Sequence, residues 1–108
     1  MSTPLPGNDL SGVAINGNSA GDNIIVAAVA TQCVLVFKIF FVASTATTVT
    51  FKDGASTSLT GAITLTAGGS FVLDLDSEPW FIATRGNAFI ISQSGTAQLS
   101  GRVYYQQR

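Results

Sequence analysis

The chain has 108 residues, of which 46% are hydrophobic and 10% are charged, and its formal net charge is −1. It contains no histidine and one cysteine. This composition excludes an intrachain disulfide, a Cys/His zinc site and a Ser-His-Asp triad. It favours neither disorder nor nucleic-acid binding, which needs a basic surface. Small soluble domains usually carry a net charge of about 2–8, so we expect a protein that works in an assembly.

The first eleven residues, 1–11, predict an extended N-terminal arm. Pro4, Pro6 and Gly7 disfavour both a helix and a central strand in this segment. Leu5 and Leu10 are the apolar side chains with which such an arm would anchor on a partner. The alternative is a frayed terminus without a function. Residues 12–108 then form a single domain, whose length is enough for its own core.

Within this domain, short apolar runs alternate with turn signals. The predicted strands are 12–15, 24–30, 33–42, 47–52, 62–66, 71–76, 80–84, 88–92 and 98–105. Asp53-Gly54 and Gly68-Gly69 are typical turn pairs between them, and no window has the periodicity of a capped helix. We expect an all-β domain of about eight to ten strands, an antiparallel β-sandwich. Both a jelly roll and an immunoglobulin-like Greek key fit this pattern.

The most apolar stretch, Ile24–Val42, has nearly the length of a membrane span. Lys38 lies inside it, and its β-branched and aromatic residues suit strands, so we expect strands and no membrane. The start of the chain has no basic residue or apolar run of the kind found in a secretory signal. In an alternating strand, Phe40 faces away from Phe37, Ile39 and Phe41. Both strand faces would then be apolar, which makes Phe40 a candidate for partner contact.

Three carboxylates, Asp74, Asp76 and Glu78, are spaced at i, i+2 and i+4. On one strand face they would suit a cation or glycoside hydrolysis, but a solvated strand face is the favoured interpretation. Cys33 has no histidine to activate it, so we expect a buried structural thiol. We therefore predict no enzyme, no catalytic residue, no metal and no cofactor.

Two aromatic residues, Trp80 and Tyr104, are the candidates for stacking on a sugar ring. A carbohydrate-binding module presents such side chains on its surface. The alternative, which we favour for Trp80, is packing in the core or at an interface.

The last third of the chain carries a series of short motifs. They are Glu78-Pro79-Trp80-Phe81, Thr84-Arg85-Gly86-Asn87-Ala88, Phe89-Ile90-Ile91 and Leu99-Ser100-Gly101-Arg102-Val103-Tyr104-Tyr105. Together with the hairpin and Ser/Thr-rich strand of Thr47–Thr60, their order resembles small virion proteins of tailed bacteriophages, of the head decoration or cement type. The similarity is most specific between Pro79 and Tyr105.

This resemblance implies a structural protein on the exterior of a phage virion, assembled in the host cytoplasm. Such a protein binds the major capsid protein as an oligomer, with a homotrimer favoured over a dimer, and stabilises the shell. Its arm, with Leu5 and Leu10, would reach onto the capsid, and neither nucleic acid nor a membrane is an expected partner. The alternative function is a carbohydrate-binding β-sandwich module, on a virion surface or elsewhere, with contacts from Trp80 and Tyr104.

Overall fold

A computed structural model describes residues 10–74 and 78–108 of the chain. The described residues form ten β-strands. They are β1 (Ser11–Gly17), β2 (Gly21–Val26), β3 (Val34–Ala43), β4 (Thr47–Asp53), β5 (Thr57–Ser58), β6 (Ile63–Leu65), β7 (Ser70–Asp74), β8 (Phe81–Ala83), β9 (Phe89–Gln93) and β10 (Leu99–Gln107). Most strands alternate buried and exposed residues, because successive side chains point to opposite faces of a sheet.

The strands form two antiparallel sheets, which we name after their central strands. The β3 sheet has the order β1-β10-β3-β7, with β8 also paired to β3, and the β4 sheet has the order β2-β9-β4-β5, with β6 also paired to β4. The pairs are nested: β1 with β10, β2 with β9, β3 with β7 and β8, and β4 with β5 and β6. This nesting is the strand order of a jelly roll. The predicted β-sandwich is confirmed, and its topology is that of the jelly roll rather than the immunoglobulin-like Greek key.

The core lies between the two sheets and is centred on Phe51 of β4. The Phe51 ring has its centroid 6.1 Å from that of Phe41, 5.0 Å from that of Phe71 and 4.9 Å from that of Phe81. These three rings belong to the β3 sheet, while Phe89, at 6.0 Å, belongs to the β4 sheet. One aromatic cluster therefore joins both sheets, with contacts worth about 0.5–1.5 kcal/mol per pair beyond burial.

A bulge in β3 changes which of its side chains face the core. Tyr104 pairs with Lys38 and Tyr105 pairs with Val36, so Phe37 is the extra residue. Phe37 is buried but does not belong to the core cluster, whereas Val36 and Ile39 do. The prediction that Phe37 shares a face with Ile39 was wrong, because a bulge opposes two residues to one and shifts the alternation.

The second predicted strand, 24–30, is shorter than expected. β2 ends at Val26, which pairs with Phe89, the first residue of β9. Beyond Val26 there is no further β9 residue with which to pair, and residues 27–30 are exposed. The apolar stretch is thus divided into β2, a connection and β3. Among the described residues, no helix is long and apolar enough to cross a membrane.

Candidate interaction surface

The outer face of the β3 sheet, the side turned away from the core, concentrates the exposed apolar side chains of the molecule. Seven large hydrophobic residues are exposed in the described chain, and five lie on this face or at its margin. The five are Phe40 (47% exposed), Val42 (42%), Val72 (64%), Ile82 (53%) and Trp80 (43%). Clustered exposed apolar residues mark interaction surfaces more often than scattered ones do.

The strand register groups these side chains in rows across the sheet. Phe40 of β3 lies between Arg102 of β10 and Val72 of β7 in one row across three strands. Further along β3, Leu35 pairs with Ile82 of β8. Side chains paired in this way lie about 5 Å apart and contact one another. Phe40, Val42 and Val72 therefore form one apolar group on the outer face of the β3 sheet, and Leu35 and Ile82 form a second group beyond the row of Lys38 and Asp74.

Charged groups are interleaved with this apolar area. The row beside Phe40 contains Tyr104, Lys38 and Asp74. Lys38 Nζ lies 3.7 Å from Asp74 Oδ1, and the Asp74 side chain is 72% exposed. The Arg102 guanidinium lies 5.5 Å from the centroid of the Tyr104 ring, a cation–π distance. The surface is apolar at its centre and carries both signs of charge beside it.

A shallow hollow opens at the middle of the same face. Its volume is about 190 Å³, and its side-chain walls include Phe40, Val72, Tyr104, Lys38 and Asp74. Sites for drug-sized molecules and cofactors usually measure about 300–1,000 Å³. The hollow is therefore of a size for one protein side chain or one sugar ring.

The sequence-based candidates for partner contact have different places. Phe40 faces outward at the centre of the apolar area, as its position in the strand predicts. Leu10 is half-buried just before β1, and Leu5 lies outside the described residues.

The two candidates for sugar contact do not line one pocket. Trp80 is exposed, so the favoured alternative of core packing was wrong for this residue, and interface packing stays a prediction. Its backbone N–H donates to the Val36 carbonyl, which places it beside the bulged part of β3. Tyr104 is half-buried and lines the hollow, whereas Trp80 does not.

Sequence reasoning missed four residues of this surface: Val42, Val72, Ile82 and Arg102. A signal was present, because the alternation of 71–76 places Val72 and Asp74 outward. What was missing was the strand order, since only the pairing of β10 and β7 with opposite sides of β3 brings these residues together.

The remaining sequence candidates are the three carboxylates and the single cysteine. Asp74 and Glu78 are exposed, and Asp76 lies outside the described residues. In residues 10–74 and 78–108, no group of three possible ligands could hold a metal ion.

Cys33 is half-buried, which corrects the prediction of a buried thiol. It precedes β3, and its backbone pairs with Arg108 at the chain end.

Asp53 is the one buried charged residue in the described part of the chain. Its carboxylate accepts hydrogen bonds from the Thr84 backbone N–H (2.9 Å), the Thr84 hydroxyl (2.6 Å) and Asn87 Nδ2 (2.9 Å). Burial alone would raise the pKa of Asp53, but these three bonds together lower it below its ordinary value. The carboxylate thus remains ionised near neutral pH and ties the end of β4 to the loop between β8 and β9.

A jelly roll by itself is compatible with many functions. No protein-family model, curated protein or solved structure matches this chain.

Proposed function

We propose that this protein is a structural assembly subunit that binds the outside of a phage capsid as an oligomer and stabilises the shell. The observation that carries this proposal is the apolar outer face of the β3 sheet, with five large side chains between 42% and 64% exposed. Water contact with such an area is unfavourable, and a partner surface that covers it gains the burial energy.

The expected strength of a contact through this face suits a subunit that joins others in a repeating assembly. Burying the exposed half of one of these side chains is worth about 1 kcal/mol. Several such contributions are offset in part by the lost freedom of the two partners. Each contact is then modest, and the repeated symmetry of a capsid multiplies modest contacts into firm attachment.

The N-terminal arm, residues 1–11, is the second element of the proposal. Ser11, the first residue of β1, pairs with Tyr105, so the preceding residues start beside one end of the β3 sheet. Leu5 and Leu10 would anchor the arm on the major capsid protein. Attachment through the arm leaves the sheet face available for contacts between subunits.

The proposal predicts that a major capsid protein is encoded beside the gene for this chain, and the test uses shells assembled from that protein. The purified protein should co-sediment with these shells to saturation and raise the temperature at which they break. A variant without residues 1–9 keeps β1 intact and should bind more weakly, while its melting temperature stays the same. Absence of co-sedimentation at a tenfold excess would contradict the proposal. Unchanged binding by the truncated variant, which keeps Leu10, would contradict the anchoring role of Leu5.

A carbohydrate-binding module is the second candidate, and the hollow favours it. Tyr104 offers an aromatic ring there, while Lys38 and Asp74 offer a donor and acceptors for hydroxyl groups. Jelly rolls also occur among lectin domains. A glycan array tests this candidate, with binding expected to be lost in Tyr104→Ala and kept in Trp80→Ala. Silence across the array would count against it.

A further inference from the structure

We propose that the outer face of the β3 sheet binds the same face of a second copy of this chain, around a two-fold axis parallel to β3. This inference deepens the proposed function by naming the partner of the apolar face. It rests on the proposed function in one respect, namely that a partner covers this face when the protein functions.

Charge complementarity selects both the partner and the direction of the axis. β10 and β7 flank β3 on opposite sides, and β10 carries Arg102 while β7 carries Asp74. An axis parallel to β3 places β10 of each copy over β7 of the other. Arg102 of each copy then lies near the partner's Asp74, and the dimer contains two such pairs. An axis across the strands would place β10 over β10 and bring the two Arg102 side chains together.

The distances fit this arrangement. Arg102 and Asp74 lie one outward-facing row apart along the strands, about 7 Å, which an arginine side chain can span. Among the described residues, no carboxylate lies within ion-pair distance of the Arg102 guanidinium, and Asp74 is largely exposed. Lys38 lies near the proposed axis, and its amine is turned toward Asp74 of the same copy. Because β7 lies on opposite sides of the axis in the two copies, the two Lys38 amines point away from each other.

The available area is sufficient for a specific but modest dimer. Four strands spaced about 4.8 Å apart, each about eight residues long at 3.3 Å, describe about 500 Å² of sheet on each copy. The total of about 1,000 Å² is near the lower limit for a specific interface. Phe40 would lie near its centre beside the hollow, with Lys38 on the same strand close to the axis and with Arg102 and Asp74 on the flanking strands.

The decisive experiment is sedimentation equilibrium of the full chain over a concentration series. The wild-type protein should form a dimer. Val72→Lys, on the proposed interface, should raise the dimer Kd at least tenfold, and Val72→Ser is a milder second variant. Ile24→Lys is the matched control, because Ile24 is equally exposed (68% against 64%) but belongs to the β4 sheet. It should leave the Kd unchanged, and circular dichroism should report the same fold for all variants.

A charge exchange tests the axis. Arg102→Asp and Asp74→Arg should each raise the dimer Kd several-fold, and the double variant should recover most of the loss. Failure of the double variant to recover any affinity would contradict the two-fold arrangement.

Four outcomes would overturn the dimer: a monomer at all concentrations, a trimer, a dimer insensitive to Val72→Lys, or a monomer that dimerises only without residues 1–9. A trimer would instead favour the homotrimer that the resemblance implies, and the last outcome would make the arm the occupant of the face. Co-sedimentation with capsids separates the two proposals. A dimer that does not bind capsids contradicts the capsid role and leaves the dimer standing. A monomer that binds capsids contradicts the dimer and the oligomeric form of the proposed function, but leaves the capsid role standing.

Discussion

The outer faces of the two sheets differ, although the same alternation of side chains produces both. On the β4 sheet, β4 alternates buried Val49 and Phe51 with outward Thr48, Thr50 and Lys52. On the β3 sheet, the central strand presents Phe40 and Val42 outward in addition to its buried residues. The β3 face exposes more large apolar side chains than the β4 sheet does, although Ile24 of β2 is also exposed. The difference shows where the chain has apolar residues beyond those that its core needs.

The way each face arranges its charges reinforces this contrast. On the β4 sheet, Lys52 Nζ lies 3.0 Å from Asp22 Oδ1, and this pair spans β9, which carries the buried Ile90. On the β3 sheet, Lys38 and Asp74 belong to adjacent strands, and Phe40 in the next row is left exposed. The β4 sheet thus has an ion pair across its outer face, whereas the centre of the β3 face is available to a partner.

The largest expected effect concerns the core that backs both faces. Phe51→Ala should lower the free energy of unfolding by about 3–5 kcal/mol, because it removes a buried ring and leaves a cavity. Phe51 contacts rings from both sheets, so hydrogen-exchange protection should fall in β3 and β9 together. Loss of protection in the β4 sheet alone would mean that the two faces rest on separate cores.

The next effect is specific to the β3 sheet. A Cβ added at Gly101 would lie 1.9 Å from the Phe40 carbonyl oxygen, so β10 and β3 would have to separate. Gly101→Ala should therefore cost about 3 kcal/mol in urea unfolding. Gly61→Ala is the control, since nothing lies within 4 Å of its added Cβ. Equal stability of the two variants would show that the face does not need this close approach.

A smaller effect comes from the carboxylate that ties the end of β4. Because the folded pKa of Asp53 is lowered from its ordinary 3.8, its stabilisation is present above that value and is lost as the pH falls through the folded pKa. Asp53→Asn should cost about 1–2 kcal/mol at pH 7. Its difference from the wild type should shrink in thermal unfolding below pH 4. A difference independent of pH would assign the cost to packing rather than to charge.

The smallest effects compare the two ion pairs directly. Asp22→Asn should cost about 0.5–1 kcal/mol, since the Lys52 pair is shorter and less exposed than the Lys38 pair. Asp74→Asn should cost less than about 0.5 kcal/mol. Both costs should decrease in 1 M salt. Chemical denaturation of the monomer measures them, and a larger cost for Asp74→Asn would reverse the contrast between the faces.

Much of the fold was predictable from the chain. The alternation in 47–52 and 71–74 predicted which side chains face inward. The pair Asp53-Gly54 predicted a hairpin, and Gly54 has a positive φ of 65°, but Asp53 is the last residue of β4 and pairs with Thr57, so the turn begins one residue later than predicted. The bulge at Phe37 and the early end of β2 were not predictable, because both depend on how a distant strand pairs. Asp53 was seen only as a turn residue, since its hydrogen-bond donors at Thr84 and Asn87 are some thirty residues away.

The sequence by itself determined an all-β sandwich with more apolar strand surface than its core can bury, because a period of two and the residue types are local properties. Tertiary structure alone decided where that surplus lies. The nested pairing of a jelly roll places β10 and β7 on either side of β3, and so joins Phe40, Val72 and Arg102 into one face. These contacts connect residues far apart in the chain, and periodicity carries no information about which strands pair.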